Sequence, residues 1–167
     1  MMYVRRAEPG DRSKLNELCL KIFPGPLPPP LDSYFILVKH DIFLGLASLI
    51  DHGILPQAKD THSFELQNFG ILPSERKIGN GNFLFQQICS QLPEHSRIEW
   101  LTAKGTIGFW KKVTKHKAKY LVICAGCETE TCEFCHPRVD SPEIYHIEWI
   151  SHEDCSHFVV FNLDKQE

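Results

Sequence analysis

The segment 73-PSERKIGNGNFLF-85 decides how this chain is interpreted. In it a basic pair, Arg76 and Lys77, precedes Gly79 and Gly81, and an apolar stretch follows at once. The apolar residues that follow recur with the spacing of one helical face: Leu84, Phe85, Ile88, Cys89 and Leu92. Pro93 then ends the helix. The pattern predicts a glycine-rich loop leading into a helix N-terminus, where unpaired N–H groups and the positive end of the helix dipole favour an anion.

Two common phosphate-binding motifs do not match this loop. A dinucleotide-binding fingerprint needs glycine at the last position of G-x-G-x-x-G, and that position holds Leu84. A nucleotide P-loop needs a Gly-Lys-Ser or Gly-Lys-Thr triplet, which the segment lacks. The pattern that remains is Arg76-x-x-Gly79-x-Gly81 at the start of a helix, and an ordinary glycine-rich turn is the alternative interpretation.

The segment 70-GILPSERKIGNGNFLF-85 resembles the acyl-CoA loop of the GCN5-related N-acetyltransferase (GNAT) family. The resemblance implies a mixed α/β fold of the acyl-CoA N-acyltransferase type, with a central, mostly antiparallel sheet flanked by helices. It also implies transfer of an acetyl group from acetyl-CoA to the amine of a small molecule or peptide, without indicating which one. By the same resemblance, backbone N–H groups of residues 77–82 hold the pyrophosphate and residues 71 and 72 pair with the pantetheine arm. The implied cofactor-binding residues are Ile71, Leu72, Arg76, Lys77, Ile78, Gly79, Asn80, Gly81 and Asn82.

The rest of the chain supplies elements in an order that agrees with this fold. Asp11 is predicted to cap a helix over residues 12–23, and the stretch 34–50 is predicted to form a hairpin broken at Lys-His-Asp. Residues 63–72 are a further strand candidate, in which Gly70 indicates a bulge or a close backbone approach. A length of 167 residues favours a single domain over residues 1–167, with a Cys- and His-rich insert at 124–156 before the last strand.

Glu65 is the candidate catalytic base, because many members of the family carry a carboxylate at this place in the strand, six residues before Ile71. A surface carboxylate without a catalytic role is the alternative. A bulge near residues 69 and 70 would free a backbone N–H for the acetyl oxygen. The chain departs from the family pattern at Trp110, where a tyrosine is common, and at Ala103, where an asparagine is usual. The second functional hypothesis is therefore a CoA-binding or protein-interaction module on an acetyltransferase scaffold.

The insert contains the pattern C-x2-C-x4-C-x2-C, formed by Cys124, Cys127, Cys132 and Cys135. Four thiolates suit tetrahedral zinc, so the pattern predicts a structural zinc site. Uncoordinated or redox-active thiols and disulfides are the alternatives, and an iron–sulfur cluster has no spacing in its favour. Nearby residues that could replace a ligand are His136, His146, His152, Cys155 and His157.

Composition narrows the remaining classes of function and of cellular location. The formal net charge is −3, which provides no general attraction to nucleic acid or to an anionic membrane. The N-terminus lacks the apolar core of a signal peptide, and no apolar run reaches the roughly 18 residues of a membrane span. We therefore expect a soluble, cytoplasmic protein that binds neither nucleic acid nor membrane, of unspecified oligomeric state.

Overall fold

The computed structural model describes residues 1–25, 30–55, 60–103, 106–115, 117–123 and 156–163. The chain divides into two compact units, Met1–Ser96 with Leu163–Glu167 and Arg97–Asn162. No helix in the described ranges is both long and apolar enough to cross a membrane. The predicted single domain over residues 1–167 stays a prediction.

The first unit is built on four antiparallel strands that pair in chain order. They are β1 (Met2–Arg6), β2 (Tyr34–Lys39), β3 (Ile42–Ile54) and β4 (His62–Ile71). Two helices accompany them, α1 (Arg12–Ile22) and α2 (Asn80–Gln91), together with short 3-10 turns at Pro9–Asp11, Leu31–Ser33 and Pro73–Glu75. The predicted hairpin is confirmed: β2 and β3 join through His40 and Asp41, whose φ angles of 48° and 63° are those of a tight two-residue turn.

The two helices cover opposite faces of this sheet. On one face, Leu15, Leu18 and Cys19 of α1 pack in a cluster with residues of β2 and β3 that include Tyr34 and Leu46. On the other face, the ring of Phe69 in β4 lies 6.4 Å from that of Phe85 in α2. Because both faces are covered, β2 is buried from Tyr34 to Val38 without the alternation of a half-exposed strand.

The structure confirms the close backbone approach predicted at Gly70 but not the bulge predicted there. A Cβ at this position would lie 2.2 Å from Cγ2 of Ile22 and 2.9 Å from Cζ of Phe23, so the backbone of β4 does approach the end of α1 closely. The predicted bulge at residues 69 and 70, however, is in the wrong place. Phe69 and Gly70 pair in register with β3, and the shift occurs where Asn68 is opposite Ser48 but Leu66 is opposite Leu49. Gln67 is therefore the extra residue.

A second shift in the same strand pair places an extra residue on β3. Asp51 lies opposite Phe64 and Gly53 lies opposite Ser63, so His52 has no partner in the ladder. A bulge re-aims the side chain that it carries. The two bulges thus fall on both sides of Glu65, the candidate base.

Asp11 lies at the predicted N-cap position of α1 but does not cap it, because its side chain makes no cap hydrogen bond. Its carboxylate instead accepts two bonds from the Arg5 guanidinium, of 2.6 and 2.8 Å, and one from the Glu8 backbone N–H, of 2.8 Å. The Arg5 hydrogen bond, opposed by burial and assisted by Glu8, lowers the pKa of Asp11. Asp11 therefore ties β1 to the turn before α1.

Apart from Ser96, the first residue of β5, the second unit contains β5 (Ser96–Ala103), α3 (Ile107–Val113), β6 (Lys119–Ile123) and β7 (Ser156–Asn162). Both β5 and β6 pair antiparallel with β7. Trp110 is buried in α3, and its indole Nε1 donates a 2.7 Å hydrogen bond to Oγ1 of Thr102 in β5. The structure as a whole confirms the mixed α/β fold with mostly antiparallel strands and flanking helices.

Candidate functional site

The glycine-rich loop connects β4 to α2 through an unusual backbone. Lys77 has a φ of 68° and Gly79, the N-cap of α2, has a φ of 88°. Glycine adopts this left-handed conformation without steric cost, whereas a lysine there is strained. The side chain of Asn80 is buried and donates a 3.0 Å hydrogen bond to the Glu75 carbonyl oxygen, which holds the loop against the start of the helix.

The N-terminus of α2 is open to a ligand. No side chain caps it, and the N–H of Phe83 donates to the Gly79 carbonyl at 2.9 Å. The N–H groups of residues 80–82 come earlier in the helix, so they have no intrahelical acceptor. The preceding residues 76–79 are exposed. The predicted anion-binding arrangement is therefore present in the backbone.

Arg76 braces this loop. Its Nε donates a 3.0 Å hydrogen bond to the Ile71 carbonyl, which uses one of the five donors of the guanidinium. The positive charge stays beside the exposed Lys77 and near the helix dipole. Together these groups make the loop attractive to a phosphate.

Ile71 and Leu72 differ in what their main chains can offer. The Leu72 N–H donates to the Leu44 carbonyl of β3 at 2.8 Å, so this donor is used within the sheet. Neighbouring residues of a strand point their N–H and C=O groups to opposite sides. Ile71 therefore presents its main chain away from β3, where the predicted pairing with a pantetheine arm would occur.

Glu65 lies near the middle of β4, opposite Ile50. Its Oε2 is 2.8 Å from Nε2 of His52, and the exposed fractions of the two side chains are 44% and 49%. Nε2 of Gln67 lies 3.5 Å from the other carboxylate oxygen. The candidate base is thus half of a carboxylate–imidazole pair. The sequence interpretation missed His52, because the contact depends on the register between β3 and β4, in which Ile50 is opposite Glu65 and residue 52 points to the same face as residue 50.

A second pair of the same chemistry occupies the same hairpin. Nε2 of His62 lies 2.5 Å from Oδ1 of Asp51, and the His62 ring stacks on Phe64 with centroids 4.6 Å apart. Burial opposes the charge of Asp51, but hydrogen bonds from the Gly53 N–H and from His62 outweigh it and lower the pKa of Asp51. Phe64 and Glu65 are adjacent in β4, so the two pairs lie on opposite faces of the hairpin.

A buried polar group shares the face of Glu65. Asn68 donates a 3.2 Å hydrogen bond to the hydroxyl of Tyr34, and Ser48, directly opposite both residues, contacts Ser33 at 2.8 Å between hydroxyl oxygens. Burial raises the pKa of Tyr34, and the hydrogen bond from Asn68 opposes that effect. Residues 65 and 68 would point to opposite faces in a regular strand, but the extra residue at Gln67 brings both to the α1 face.

The proposed zinc ligands Cys124, Cys127, Cys132 and Cys135 lie outside the described residues. Within the described ranges, no group of three or more His, Cys, Asp or Glu side chains could hold a metal ion. Cys19 and Cys89 are free thiols, and burial raises the pKa of Cys89 to about 12, as expected of a packing residue. Zinc in the insert stays a prediction.

Comparison with known proteins defines the class of fold. No protein-family model matches the sequence, and no curated protein matches it. Among solved structures, Arabidopsis thaliana Naa50 in complex with the bisubstrate analogue CoA-Ac-MVNAL matches at 15% identity over 95% of this chain and 97% of that one, with a TM-score of 0.62. The ribosomal-protein-S18-alanine N-acetyltransferase of Escherichia coli matches at 9% identity over 100% and 97%, with a TM-score of 0.66.

A third neighbour is the diaminobutyrate acetyltransferase EctA of Paenibacillus lautus, solved with its substrate and coenzyme A. It matches at 15% identity over 96% of this chain and 95% of that one, with a TM-score of 0.60. All three matches extend over nearly the full length of both chains. At these identities the likeness concerns the fold, and it confirms the acyl-CoA N-acyltransferase fold that the glycine loop predicts.

Proposed function

We propose that this protein is an N-acetyltransferase that moves an acetyl group from acetyl-CoA to an amine. The observation that carries the proposal is the open N-terminus of α2, which directly follows β4 and lies behind a loop containing Arg76, Lys77 and the left-handed Gly79. The pyrophosphate of acetyl-CoA is an anion that such a helix terminus attracts. The solved neighbours include proteins bound to coenzyme A or a bisubstrate analogue, which supports the same ligand here.

The residues of the loop are proposed to bind the pyrophosphate of acetyl-CoA, and those at the end of β4 its pantetheine arm. The backbone N–H groups of residues 77–82 would face the pyrophosphate, and Arg76 and Lys77 would add positive charge. Ile71 would pair with the pantetheine arm through its main-chain N–H, which points away from β3, since its carbonyl already accepts the hydrogen bond from Arg76. Leu72 would contribute its side chain, because its N–H donates to the Leu44 carbonyl and its carbonyl accepts a 2.8 Å hydrogen bond from the Glu75 N–H.

The acetyl group would then lie beside the middle of β4, where the bulge at Gln67 interrupts the ladder. About six residues of strand separate Glu65 from Ile71, or roughly 20 Å at the usual rise per residue. The bulge at Gln67 lies between these two residues, two positions from Glu65. Glu65 is the proposed participant in proton removal from the acceptor ammonium. A backbone N–H near the bulge is proposed to stabilise the oxygen of the tetrahedral intermediate.

Acetyl-CoA binding is tested by the melting temperature of the protein. Acetyl-CoA at 100 times its Kd would stabilise the folded state by about 2.7 kcal/mol. At about 2–4 °C per kcal/mol for a chain of this size, the melting temperature would rise by roughly 5–11 °C. Gly79→Ala should reduce the rise, since the added Cβ strains the loop at a φ of 88° without a clash in the apo protein.

Gly53→Ala is the matched control. Gly53 also has a positive φ, of 75°, and no atom lies within 4 Å of the position of its missing Cβ. Both variants therefore carry the same backbone penalty, but only Gly79 belongs to the proposed site. An acetyl-CoA shift that is equal in both variants would contradict the placement of the pyrophosphate.

The alternative function, a CoA-binding or protein-interaction module, is separated from an enzyme by thiol release. Wild-type protein would be incubated with acetyl-CoA and a panel of amines: a peptide N-terminus, a lysine side chain, a polyamine and a diamino acid. Release of CoA thiol that depends on one of these amines supports the enzyme. A thermal shift without thiol release supports the module.

For the insert, we propose a structural zinc held by Cys124, Cys127, Cys132 and Cys135. Their spacing supports the proposal, because each C-x2-C pair can direct two thiolates to one ion. The insert precedes the last strand in the sequence, and from this position it could influence the choice of acceptor.

A further inference from the structure

We propose that His52 is the group that removes the proton from the acceptor amine, and that Glu65 is the positioning residue that orients its imidazole ring. This inference rests on the proposed acetyltransferase function and assigns a base within it.

The observation that carries this inference is the contact between His52 and Glu65, in the part of the hairpin that lies between the two bulges. His52 is the unpaired residue of β3, and its Nε2 lies 2.8 Å from Oε2 of Glu65. Ile50 is directly opposite Glu65, and residues 50 and 52 of β3 point to the same face, so the His52 ring lies beside Glu65 on the α1 face.

The chemistry of the contact determines which ring nitrogen is reactive. An ionised carboxylate only accepts hydrogen bonds, so Nε2 of His52 must carry the hydrogen and donate it to Glu65. Nδ1 then bears the lone pair and can accept a proton. The orientation of an imidazole by a carboxylate on its other nitrogen is the arrangement that makes histidine an effective base.

In the described part of the chain, the Glu65 carboxylate is the charged group in contact with the His52 ring, 2.8 Å from Nε2, whereas Asp51 pairs with His62 on the opposite face of the hairpin. Glu65, with both oxygens engaged by His52 and Gln67, would lose a contact if it took the proton itself.

The hairpin contains a second carboxylate–histidine pair, and its position explains why His52 and not His62 is assigned as the base. His62 also pairs with a carboxylate, but its ring stacks on Phe64, on the face that carries Phe69 and α2. His52 and Glu65 share instead the face of Asn68 and Tyr34. The bulge at Gln67 joins Glu65 and Asn68 on that face, next to the proposed position of the acetyl carbonyl.

The proposed step moves one proton to His52 and one acetyl group to the amine. Nδ1 of His52 takes a proton from the acceptor ammonium, and the amine nitrogen forms a bond to the acetyl carbonyl carbon. The carbonyl electron pair moves to oxygen and then returns as the C–S bond breaks. CoA leaves as a thiolate, one of the two protons on the cationic amide nitrogen is lost to solvent while the other remains as the amide N–H, and the His52 proton passes to the thiolate or to water. No oxidant, metal or further reactant is required.

The test measures thiol release from acetyl-CoA by the full chain, with whichever amine of the panel the wild-type protein acetylates fastest. His52→Gln should lower kcat by about 10²- to 10⁴-fold, the usual contribution of a general base. Its acetyl-CoA thermal shift should equal that of the wild type. Added imidazole should restore activity to His52→Ala, because a small base can occupy the vacated space. Imidazole should not restore Glu65→Gln, in which the histidine is still present.

His62→Gln is the matched control, since it breaks an equivalent carboxylate pair on the opposite face of the same hairpin. Its kcat should stay within about twofold of wild type. His52→Gln turnover equal to that of wild type, or a rate loss in Glu65→Gln alone, would overturn the inference and leave Glu65 as the direct base.

Different results would contradict the proposed acetyltransferase function and the proposed role of His52. Wild-type protein that releases no thiol with any amine would overturn both the proposed function and this inference. Wild-type turnover with undiminished His52→Gln turnover would overturn the inference alone.

Discussion

Replacing Gly70 with alanine should destabilise the protein by steric overlap with the end of α1. The added Cβ would lie 2.2 Å from Cγ2 of Ile22 and 2.9 Å from Cζ of Phe23. Carbon atoms in contact normally lie about 3.5–4.0 Å apart, so Ile22 must withdraw by more than about 1 Å. Its branched Cβ restricts the side chain to few rotamers, which makes that movement costly.

The magnitude follows from the cost of overpacking. Forcing an extra methyl group into a packed site costs about 1–3 kcal/mol. For a chain of this size the melting temperature would fall by roughly 2–12 °C, at about 2–4 °C per kcal/mol. Differential scanning calorimetry or a circular dichroism melt would measure the change.

Gly10→Ala is the control for Gly70→Ala. Gly10 has no atom within 4 Å of the added Cβ, so the substitution should be neutral or raise stability by up to about 1 kcal/mol through the unfolded chain. A melting temperature of Gly70→Ala at or above that of the wild type would refute the steric argument.

Three further outcomes are expected. Because Arg5 lowers the pKa of Asp11, the ionised carboxylate stabilises the fold above a pH of about 4, and this stabilisation is lost as the pH falls further. Asp11→Asn should therefore reduce the dependence of the melting temperature on pH between pH 6 and pH 3. Thr102→Val removes the acceptor of the buried Trp110 N–H and should cost about 1–3 kcal/mol in urea denaturation; an unchanged midpoint would contradict this. Elemental analysis should find about one zinc per chain and less in Cys127→Ser, whereas metal-free wild type would favour disulfides or simple packing.

Local patterns were enough to locate several elements. The spacing of Leu15, Leu18 and Cys19 predicted α1, and all three residues are buried against the sheet. The turn at His40 and Asp41 and the loop at Gly79 were also visible in the sequence, because turn geometry depends on the residues within the turn. The glycine motif, with the resemblance it carries, was sufficient to predict the fold that the solved neighbours confirm.

Glu65 shows where the sequence was insufficient. The strand that contains it was predicted, but its partner His52 was not, and the bulge was assigned to Gly70 when it lies at Gln67. Asp11 was likewise predicted as a helix cap and serves instead to bind Arg5. Each of these features depends on a contact or register with a second element: His52 lies in β3, and Arg5 lies in β1, six residues before Asp11.

By itself, the sequence determined the elements, the glycine loop and the type of fold, because hydrophobic spacing and turn chemistry are properties of neighbouring residues. Only the tertiary structure decided which side chains share a face. A bulge is a difference in register between two paired strands, so neither strand records it alone, and one extra residue sends a side chain to the other side of the sheet. For this reason the pairing of His52 with Glu65 and the alignment of Asn68 with Tyr34 emerged from the fold.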